Sequence, residues 1–230
     1  MAEDVSPELD TRAWIRGIPA LTGVPPNTGT AQNDPAEFPS APSALFLTWL
    51  RQAVDGGVAE PHVCALSTVD DEGMPDSRFL ILKDVGDRGF WFSGSARSPK
   101  GVELKANPRA SLVFYWRENG QQIRVRGVVS EGDEPVRARD FVERSVTARA
   151  VATASRQSQE LVDSRDYELA VAGAVDSIEA DPAFVSDDWR AWCLEPESVE
   201  FWQADPGRRH LRWLYRRNSD GAWTVTNLWP

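Results

Sequence analysis

Five arginines and one histidine are concentrated in residues 207–217, GRRHLRWLYRR, of a chain that is otherwise acidic. Its 35 Asp and Glu residues outnumber its 25 Lys and Arg residues, which gives a net charge of −10. Since alternate residues of a β-strand share a face, one face of this segment is basic and the other is apolar. A basic face of this kind could hold an anion, or it could be a solvated strand face. The basic face consists of Arg208, His210 and Arg212, and the apolar face of Leu211, Trp213 and Tyr215.

The other reactive residue types exclude several common kinds of site. Only His62 and His210 are present and the two cysteines are far apart, so the usual zinc ligand sets are not expected. The chain has no GxSxG nucleophile motif and no GxGxxG after a predicted strand. The stretch GSARSPKG does not have the spacing of a Walker loop. What remains is a dispersed set of cationic and amide side chains, namely Arg78, Lys83, Lys100, Gln122, Gln157 and Arg212.

Composition restricts the class of protein and its partners. A length of 230 residues with 41% hydrophobic residues suits one globular domain with extensions, and ten tryptophans indicate a β-rich core or subunit contacts. The pI near 4.8 argues against nucleic acid as a partner. No apolar run reaches the roughly 18 residues of a membrane span, and the first residues lack a secretion signal. We therefore expect a cytoplasmic protein in which Cys64 and Cys193 are reduced core residues.

Residues 1–40 are rich in Pro, Gly, Thr and Asp and are predicted to form a flexible N-terminal arm before a domain at 41–230. The stretch SALFLTWLRQAVDGG predicts a helix from the spacing of Leu47, Leu50 and Val54. Ser43 is a candidate N-cap, and the Gly56-Gly57 pair is a candidate end of the helix.

The remainder of the chain alternates in the manner of β-strands, with short helices inserted. Asn119-Gly120 is a strong hairpin signal. About eight mostly antiparallel strands suggest a barrel, because closure removes exposed edges. The predicted strands are HVCALSTV, SRFLILKDV, GFWFSG, ASLVFYW, QIRVRGVVS, WRAWCLEP, SVEFWQA, RHLRWLYRR and AWTVTNLW, and the predicted helices are SPKGVELKAN, EPVRARDFVERSV and SQELVDSRDYELAVAGAV.

From about residue 45 to the C-terminus the sequence resembles the pyridoxamine 5'-phosphate oxidase family of flavin enzymes. The matching segments include SRFLILKDVGDRGFWFSGSARSPKGVELKANPRASLVFYW, QQIRVRGVV, SRQSQ and SVEFWQADPGRRHLRWLYRRNSDGAWTVTNLWP. EFWQ followed by R-x-H-x-R is the most specific of these matches. The resemblance implies a mostly β fold with inserted helices, an FMN-binding split β-barrel, and a homodimer that binds FMN at the subunit interface without a metal.

The resemblance also implies which residues contact FMN. The FMN phosphate favours cations and hydroxyl donors, and the flavin ring edge needs amide and cationic partners, as these residue types provide. The implied contacts are Arg78 and Lys83 on a strand lining the flavin, Ser93 and Gly94 on the next, Lys100 at the phosphate, Gln122, Gln157 and Ser158 as amide and hydroxyl contacts, and Trp202 and Arg212 near the C-terminus.

Two features depart from the family pattern. The family usually has an Arg-Lys pair where this chain has Pro99-Lys100, so one phosphate contact is missing or supplied elsewhere. Arg78 and Lys83 are five residues apart and would lie on opposite faces of a regular strand. A bulge, or contacts with different parts of the ligand, would reconcile them.

The substrate site also differs from that of the vitamin branch of the family, which holds a substrate phosphate with a Lys, a Tyr, an Arg and a Ser. The corresponding residues here are Lys83, Asp140, Arg144 and Ala148, so two hydroxyl donors are lost and a carboxylate is added. Two like unit charges about 4 Å apart at a dielectric near 20 cost about 4 kcal/mol. A phosphorylated vitamin is therefore not expected as the main substrate.

Several stretches instead resemble the phenazine-biosynthesis branch, namely LTWLRQAVDGGVAEPHVCALSTVD, YWRENGQQI and SRQSQEL. This implies oxidation of a reduced phenazine-type carboxylate, with hydride passing to the flavin and then to dioxygen to give hydrogen peroxide, and with no obligatory catalytic side chain. Arg208 and His210 could hold the carboxylate. Two alternatives stay open: a pyridoxamine or pyridoxine 5'-phosphate oxidase, and a non-catalytic flavin- or haem-binding split barrel.

Overall fold

The computed structural model describes residues 11–19 and 38–230. Within these residues no helix is both long enough and apolar enough to cross a membrane. The elements, in chain order, are α1 (Thr11–Gly17), α2 (Pro42–Asp55), β1 (Val63–Val69), β2 (Pro75–Ile81), β3 (Asp84–Val85), β4 (Phe90–Ser95), α3 (Pro99–Ala106), β5 (Arg109–Trp116), β6 (Gln121–Glu131), α4 (Glu134–Val142), α5 (Val146–Ala154), α6 (Ser164–Ala180), β7 (Trp189–Gln203), β8 (Leu211–Arg217) and β9 (Trp223–Asn227).

The strands form one antiparallel sheet in the order β2-β1-β5-β6-β7-β4-β3, with β8 and β9 added beyond β7. Residues 75–85 stand at both ends of this order, because β2 pairs with β1 and β3 pairs with β4. Between them the Leu82 N–H donates to His62 O at 2.9 Å on one side, and the Lys83 N–H donates to Trp91 O at 2.8 Å on the other. One continuous segment therefore closes the barrel, which confirms the predicted mostly β split-barrel fold.

Strand β7 is one strand of 15 residues, whereas the sequence pattern predicted two separate strands around Pro196. That prediction is wrong because β6 continues alongside β7 through a register shift between Arg126 and Gly127. A Cβ at Gly127 would lie 2.0 Å from the carbonyl oxygen of Glu195, so only glycine permits this close approach. The bulge lets the first half of β7 pair with β4 and the second half with β8.

Aromatic side chains fill the barrel, as the tryptophan content predicted. The Phe46 ring of α2 contacts Phe90 and Phe114 at centroid distances of 5.0 and 4.9 Å, and Trp116 lies 6.1 Å away. Edge-to-face pairs of this kind add stabilisation beyond the burial of apolar area. Cys64 and Cys193 are buried and unbonded, as expected.

The helix predicted near residue 43 is present as α2, but its predicted N-cap is wrong. The N-cap is Ala41 rather than Ser43, because Pro42 occupies the first turn, where a missing N–H costs nothing. Val54 is 58% exposed, and Leu47 and Leu50 are only partly buried. The predicted end is confirmed, with Gly56 as C-cap. The fully packed face consists of Leu45, Phe46, Trp49 and Ala53.

Other helices were only partly anticipated. Helix α5 was not predicted as a separate element, and it begins where Ser145 caps the amide of Ala148. Helix α1 lies inside the predicted arm, the remainder of which falls mainly outside the described residues. The end of that arm is attached to the domain, because the Tyr215 hydroxyl donates to Pro39 O at 3.0 Å.

The basic segment at 207–217 is less regular than its sequence suggested. Strand β8 begins only at Leu211, and Arg208 precedes it in a turn with a φ of 63°. Arg208 and His210 both precede the strand and therefore do not share a strand face with Arg212, so that prediction is wrong. The apolar side is confirmed for Trp213 and Tyr215, which are buried.

Candidate active site

The largest group of the predicted site residues lines a cavity of about 400 Å³ beside β2 and β4. Helix α3 and the region around α5 contribute the remaining walls. Among the described residues on the cavity wall there is no Asp, Glu or His, so the lining is apolar, neutral polar and cationic, without an acidic group. The predicted residues that meet here are Arg78, Lys83, Ser93, Gly94, Lys100, Arg144 and Gln157, together with the unpredicted Trp189.

Arg78 and Lys83 line the same cavity although they are five residues apart. The chain alternates without a break from Arg78 to Lys83, because Phe79, Ile81 and Lys83 are exposed while the residues between them are more buried. The two cations therefore lie on opposite faces of this segment, and both faces contribute to the cavity wall. No bulge is needed here, and contacts with different parts of the ligand stay a prediction.

Arg78 is held in place by a partly buried network that the sequence did not indicate. Its guanidinium donates to Glu103 at 3.1 Å and to Asp76 at 2.7 Å, and it also contacts the buried Thr68 hydroxyl. Glu103 lies on α3, one turn beyond Lys100. Helix α3 thus places Lys100 in the cavity and orients Arg78 through Glu103.

Lys100 is the most buried cation of the cavity, with 7% of its surface exposed. Its ammonium donates to the Ser98 hydroxyl and to Oε1 of Gln157, each at 3.0 Å. Burial above all, and also the positive charge of Arg78, lower its pKa to about 8, although Glu103 acts in the opposite direction. A buried ammonium with neutral partners is a favourable ligand for an anion. Pro99, which replaces the family's arginine, occupies the first turn of α3.

The side chains fit the phosphate and ring edge of FMN. The Ser93 hydroxyl is buried and has no protein partner, and it faces the cavity where a ligand acceptor could satisfy it. A Cβ at Gly94 would lie 2.7 Å from Cε of Lys100, so glycine keeps open the space that the ammonium needs. The Lys100 ammonium, the Gln157 amide and the hydroxyl groups of Ser93 and Ser98 would thus hold the phosphate.

The lowered pKa of Lys100 predicts opposite pH trends for FMN binding and for stability of the FMN-free protein. Because phosphate binds the protonated ammonium, FMN affinity is expected to fall by up to about tenfold per pH unit above pH 8. Between pH 8 and its ordinary value of 10.5, the unfolded Lys100 retains a proton that the folded one has lost, so stability should rise. Flavin fluorescence titrations and thermal melts across pH 7–10.5 measure both trends. A flat affinity profile in this range would contradict the assignment.

A second group of predicted residues lies outside the cavity, on the outer face of the sheet. Gln122, Trp202 and Arg212 are register partners across β6, β7 and β8. Arg212 forms an ion pair with Glu200 at 2.8 Å. The His210 ring contacts Trp202 at 4.8 Å, and its Nδ1 accepts the Asp205 N–H at 3.1 Å. These residues form a coherent cluster, which we call the outer-face cluster.

Two of the predicted residues are exposed in turns. Ser158 follows Gln157 with a φ of 69°, and Arg208 precedes β8. Neither lines the 400 Å³ cavity. Their predicted contacts with FMN or substrate stay predictions that would require a second subunit.

Asp140 does not line the main cavity. It borders an adjoining cavity of about 470 Å³ that also reaches Lys83, and its carboxylate accepts the indole N–H of Trp189 at 2.7 Å. Arg144 lines the main cavity with its guanidinium 4.4 Å from the centre of the Trp189 ring. Asp140 lies in the last turn of α4 and Arg144 lies just beyond its end, and nothing in the sequence pointed to Trp189 between them.

Comparison with known proteins identifies the family of the chain. The family model for pyridoxamine 5'-phosphate oxidase matches residues 50–177, and that for the pyridoxine 5'-phosphate oxidase C-terminal dimerisation region matches residues 189–230. A pyridoxine/pyridoxamine 5'-phosphate oxidase from Ralstonia pickettii is 37% identical over 87% of this chain and 94% of its own length. One from Burkholderia lata is 36% identical over 89% of this chain and 96% of its own length.

The fold is also similar to a solved structure from the second branch. PhzG from Burkholderia lata, in complex with tetrahydrophenazine-1-carboxylic acid, superposes with a TM-score of 0.80 at 35% identity, covering 85% of this chain and 96% of that one. Overall identity therefore does not separate the two kinds of relative. The chain belongs to the pyridoxamine 5'-phosphate oxidase family and is an FMN-dependent oxidase.

Proposed function

We propose that this protein oxidises a reduced, phenazine-type tricyclic carboxylate to its aromatic product. The observation that carries the proposal is the composition of the anion-binding end of the cavity. Lys83 and Arg144 supply two cations there, while Ala148 has no hydroxyl and the Asp140 carboxylate is hydrogen-bonded to Trp189. Two cations that lack the two hydroxyl donors of the vitamin branch suit a carboxylate better than a phosphate, whose additional oxygens need further donors.

The remaining contacts support a flat, apolar substrate. Phe79 and Ile81 are exposed beside the cavity, and Trp189 forms part of its wall. Burial of aromatic rings against such side chains stabilises binding without specific polar contacts. When bound, FMN supplies the two-electron acceptor that dioxygen reoxidises to give hydrogen peroxide. The chain's own residues orient the substrate, and its gain of aromaticity removes the need for a strong base.

Oxidation of pyridoxamine or pyridoxine 5'-phosphate is the second candidate, favoured by the names of the relatives. The two candidates separate in one assay of the FMN-loaded protein. Peroxide release and oxygen consumption would be followed with a reduced phenazine carboxylate and with each phosphorylated vitamer. A value of kcat/KM that is at least tenfold higher for the carboxylate supports the proposal. Preferential turnover of a phosphorylated vitamer would overturn it.

We further propose that the active assembly is a homodimer with FMN between the subunits. The outer face of β1, β2 and β5 carries an apolar patch next to the cavity and in register with the outer-face cluster. Large exposed apolar patches mark interaction surfaces. Pairing of two such faces would bring the cluster of one subunit towards the cavity of the other, in agreement with the matched dimerisation region. The patch consists of Phe79, Ile81 and Tyr115, with the partly buried Val63, Ala65 and Val113.

Tyr115→Glu is expected to convert the dimer to monomers and to weaken FMN retention. Tyr115 is 56% exposed in the single chain, and a carboxylate buried in an apolar interface costs several kcal/mol. Size-exclusion chromatography with light scattering measures the mass, and the flavin-to-protein absorbance ratio measures retention. Val162→Glu is the matched control, because Val162 is 89% exposed and lies before α6, away from the patch. A Tyr115→Glu protein that remains dimeric would place the interface elsewhere.

A further inference from the structure

Three interacting side chains connect the main cavity with the adjoining one. Arg144 and Trp189 line the main cavity, and Asp140 lines the adjoining cavity. Asp140 on α4 accepts the Trp189 indole N–H at 2.7 Å, and Arg144 stacks over the Trp189 ring at 4.4 Å. Trp189 is buried at the start of β7, where its backbone pairs with Ser95 of β4. The indole is therefore fixed both by the sheet and by a charge-assisted hydrogen bond.

Arg144 has little else to hold it. Its Nη2 donates to Ala148 O at a long 3.4 Å, and its Nε is buried with no protein partner. Burial lowers the pKa of Arg144, while the nearby Asp140 raises it. Because a guanidinium stacked on an aromatic ring keeps its donor edge free, the Trp189 ring sets the plane in which Arg144 presents that edge.

We propose that Asp140 and Trp189 are positioning residues that orient Arg144 for a planar carboxylate and disfavour a phosphate dianion. This inference rests on the proposed function, because it assumes that the cavity binds an anionic substrate. The two residues have separable roles. Trp189 fixes the plane that allows Arg144 to pair with both oxygens of a carboxylate. Asp140 fixes the indole and also places a negative charge nearby, which repels a dianion about twice as strongly as a monoanion.

The FMN-loaded protein can be titrated with two probes, phenazine-1-carboxylate and pyridoxal 5'-phosphate, with the flavin absorbance as the signal. Trp189→Phe keeps a ring but loses the N–H, and it should weaken the carboxylate probe about tenfold while changing the phosphate probe less than threefold. Asp140→Asn keeps an acceptor but removes the charge. It should shift the ratio of the two dissociation constants about tenfold in favour of phosphate.

A second measurement reports on Arg144 without any substrate. An arginine-specific dicarbonyl reagent modifies guanidinium groups according to their freedom, and peptide mass spectrometry resolves the rate at Arg144. We expect the rate to rise severalfold in Trp189→Phe and in Asp140→Ala, with no change at the exposed Arg165, which serves as an internal control.

The outcomes separate this inference from the proposed function. Equal rates of Arg144 modification in the wild type and in both variants would overturn the positioning role. Weakening of both probes by one common factor would also overturn it, because a purely structural defect has that effect. A wild-type protein that binds the phosphate probe more tightly would instead overturn the proposed substrate class and the selectivity assigned to Asp140, even if Trp189 still controls the modification of Arg144.

Discussion

Replacing Lys100 with Met is expected to lower the affinity of the protein for FMN about 100-fold. The side chain keeps its length but loses the only fully buried cation among the described residues that line the cavity. A hydrogen bond to a charged group contributes about 1.5–3 kcal/mol, and the upper part of that range applies where water is excluded. Titration of the FMN-free protein with FMN, followed by quenching of flavin fluorescence, measures the change.

The fold should tolerate the Lys100→Met change. Removal of a buried charge relieves its desolvation cost, so the FMN-free variant is expected to unfold at a temperature no lower than the wild type at pH 7. Lys105→Met is the matched control, because Lys105 is exposed near the end of the same helix. Unchanged FMN affinity in Lys100→Met, or an equal loss in Lys105→Met, would remove Lys100 from the phosphate site.

Replacing Arg144 with Met is expected to lower kcat/KM for the carboxylate substrate about 100-fold while FMN stays bound. Arg144 lines the cavity against Trp189 and has no hydrogen bond with Lys100 or Gln157, the contacts proposed for the FMN phosphate. Loss of a bidentate ion pair with a buried carboxylate costs about 3 kcal/mol, which corresponds to that factor. Steady-state peroxide release and the flavin-to-protein ratio, measured on the same sample, separate catalysis from cofactor retention.

The control for Arg144 is Arg165→Met, which removes an exposed guanidinium paired with Asp163 at the start of α6. It should leave both kcat/KM and FMN content unchanged. If Arg144→Met loses FMN in proportion to activity, the residue serves the cofactor rather than the substrate. If neither quantity changes, the anion-binding end of the cavity lies elsewhere.

The sequence predicted the strands well because most of them alternate between a packed interior and an exposed face. The prediction failed where one stretch of chain contacts two different parts of the structure. Strand β7 looked like two strands because Pro196 interrupts its pattern, although the backbone continues past a bulge at Gly127. Arg78 and Lys83 looked incompatible because they lie on opposite faces of their segment, whereas the cavity wall includes side chains of both faces.

The site shows the same division between local and long-range information. Lys100, Ser93 and Gly94 were found through the family pattern, and they meet in one cavity. Trp189 and Glu103 were missed because their roles depend on contacts with residues 49 and 25 positions away, respectively Asp140 and Arg78. Asp140 was expected to repel a substrate phosphate; its carboxylate accepts the indole N–H and borders an adjoining cavity, and the repulsion stays a prediction.

The seam of the barrel has a consequence for how the protein responds to its ligands. The backbone amides of Leu82 and Lys83 donate to His62 O and Trp91 O and so join the two ends of the sheet. The same segment places Arg78 and Lys83 on the cavity wall. A molecule that binds these two side chains together with Ser93 of β4 would therefore also link this segment to β4. Ligand binding and cooperative unfolding are therefore coupled through this segment. In the ligand-free protein, local opening should begin at the backbone amides of residues 82–83, and bound ligand should suppress it.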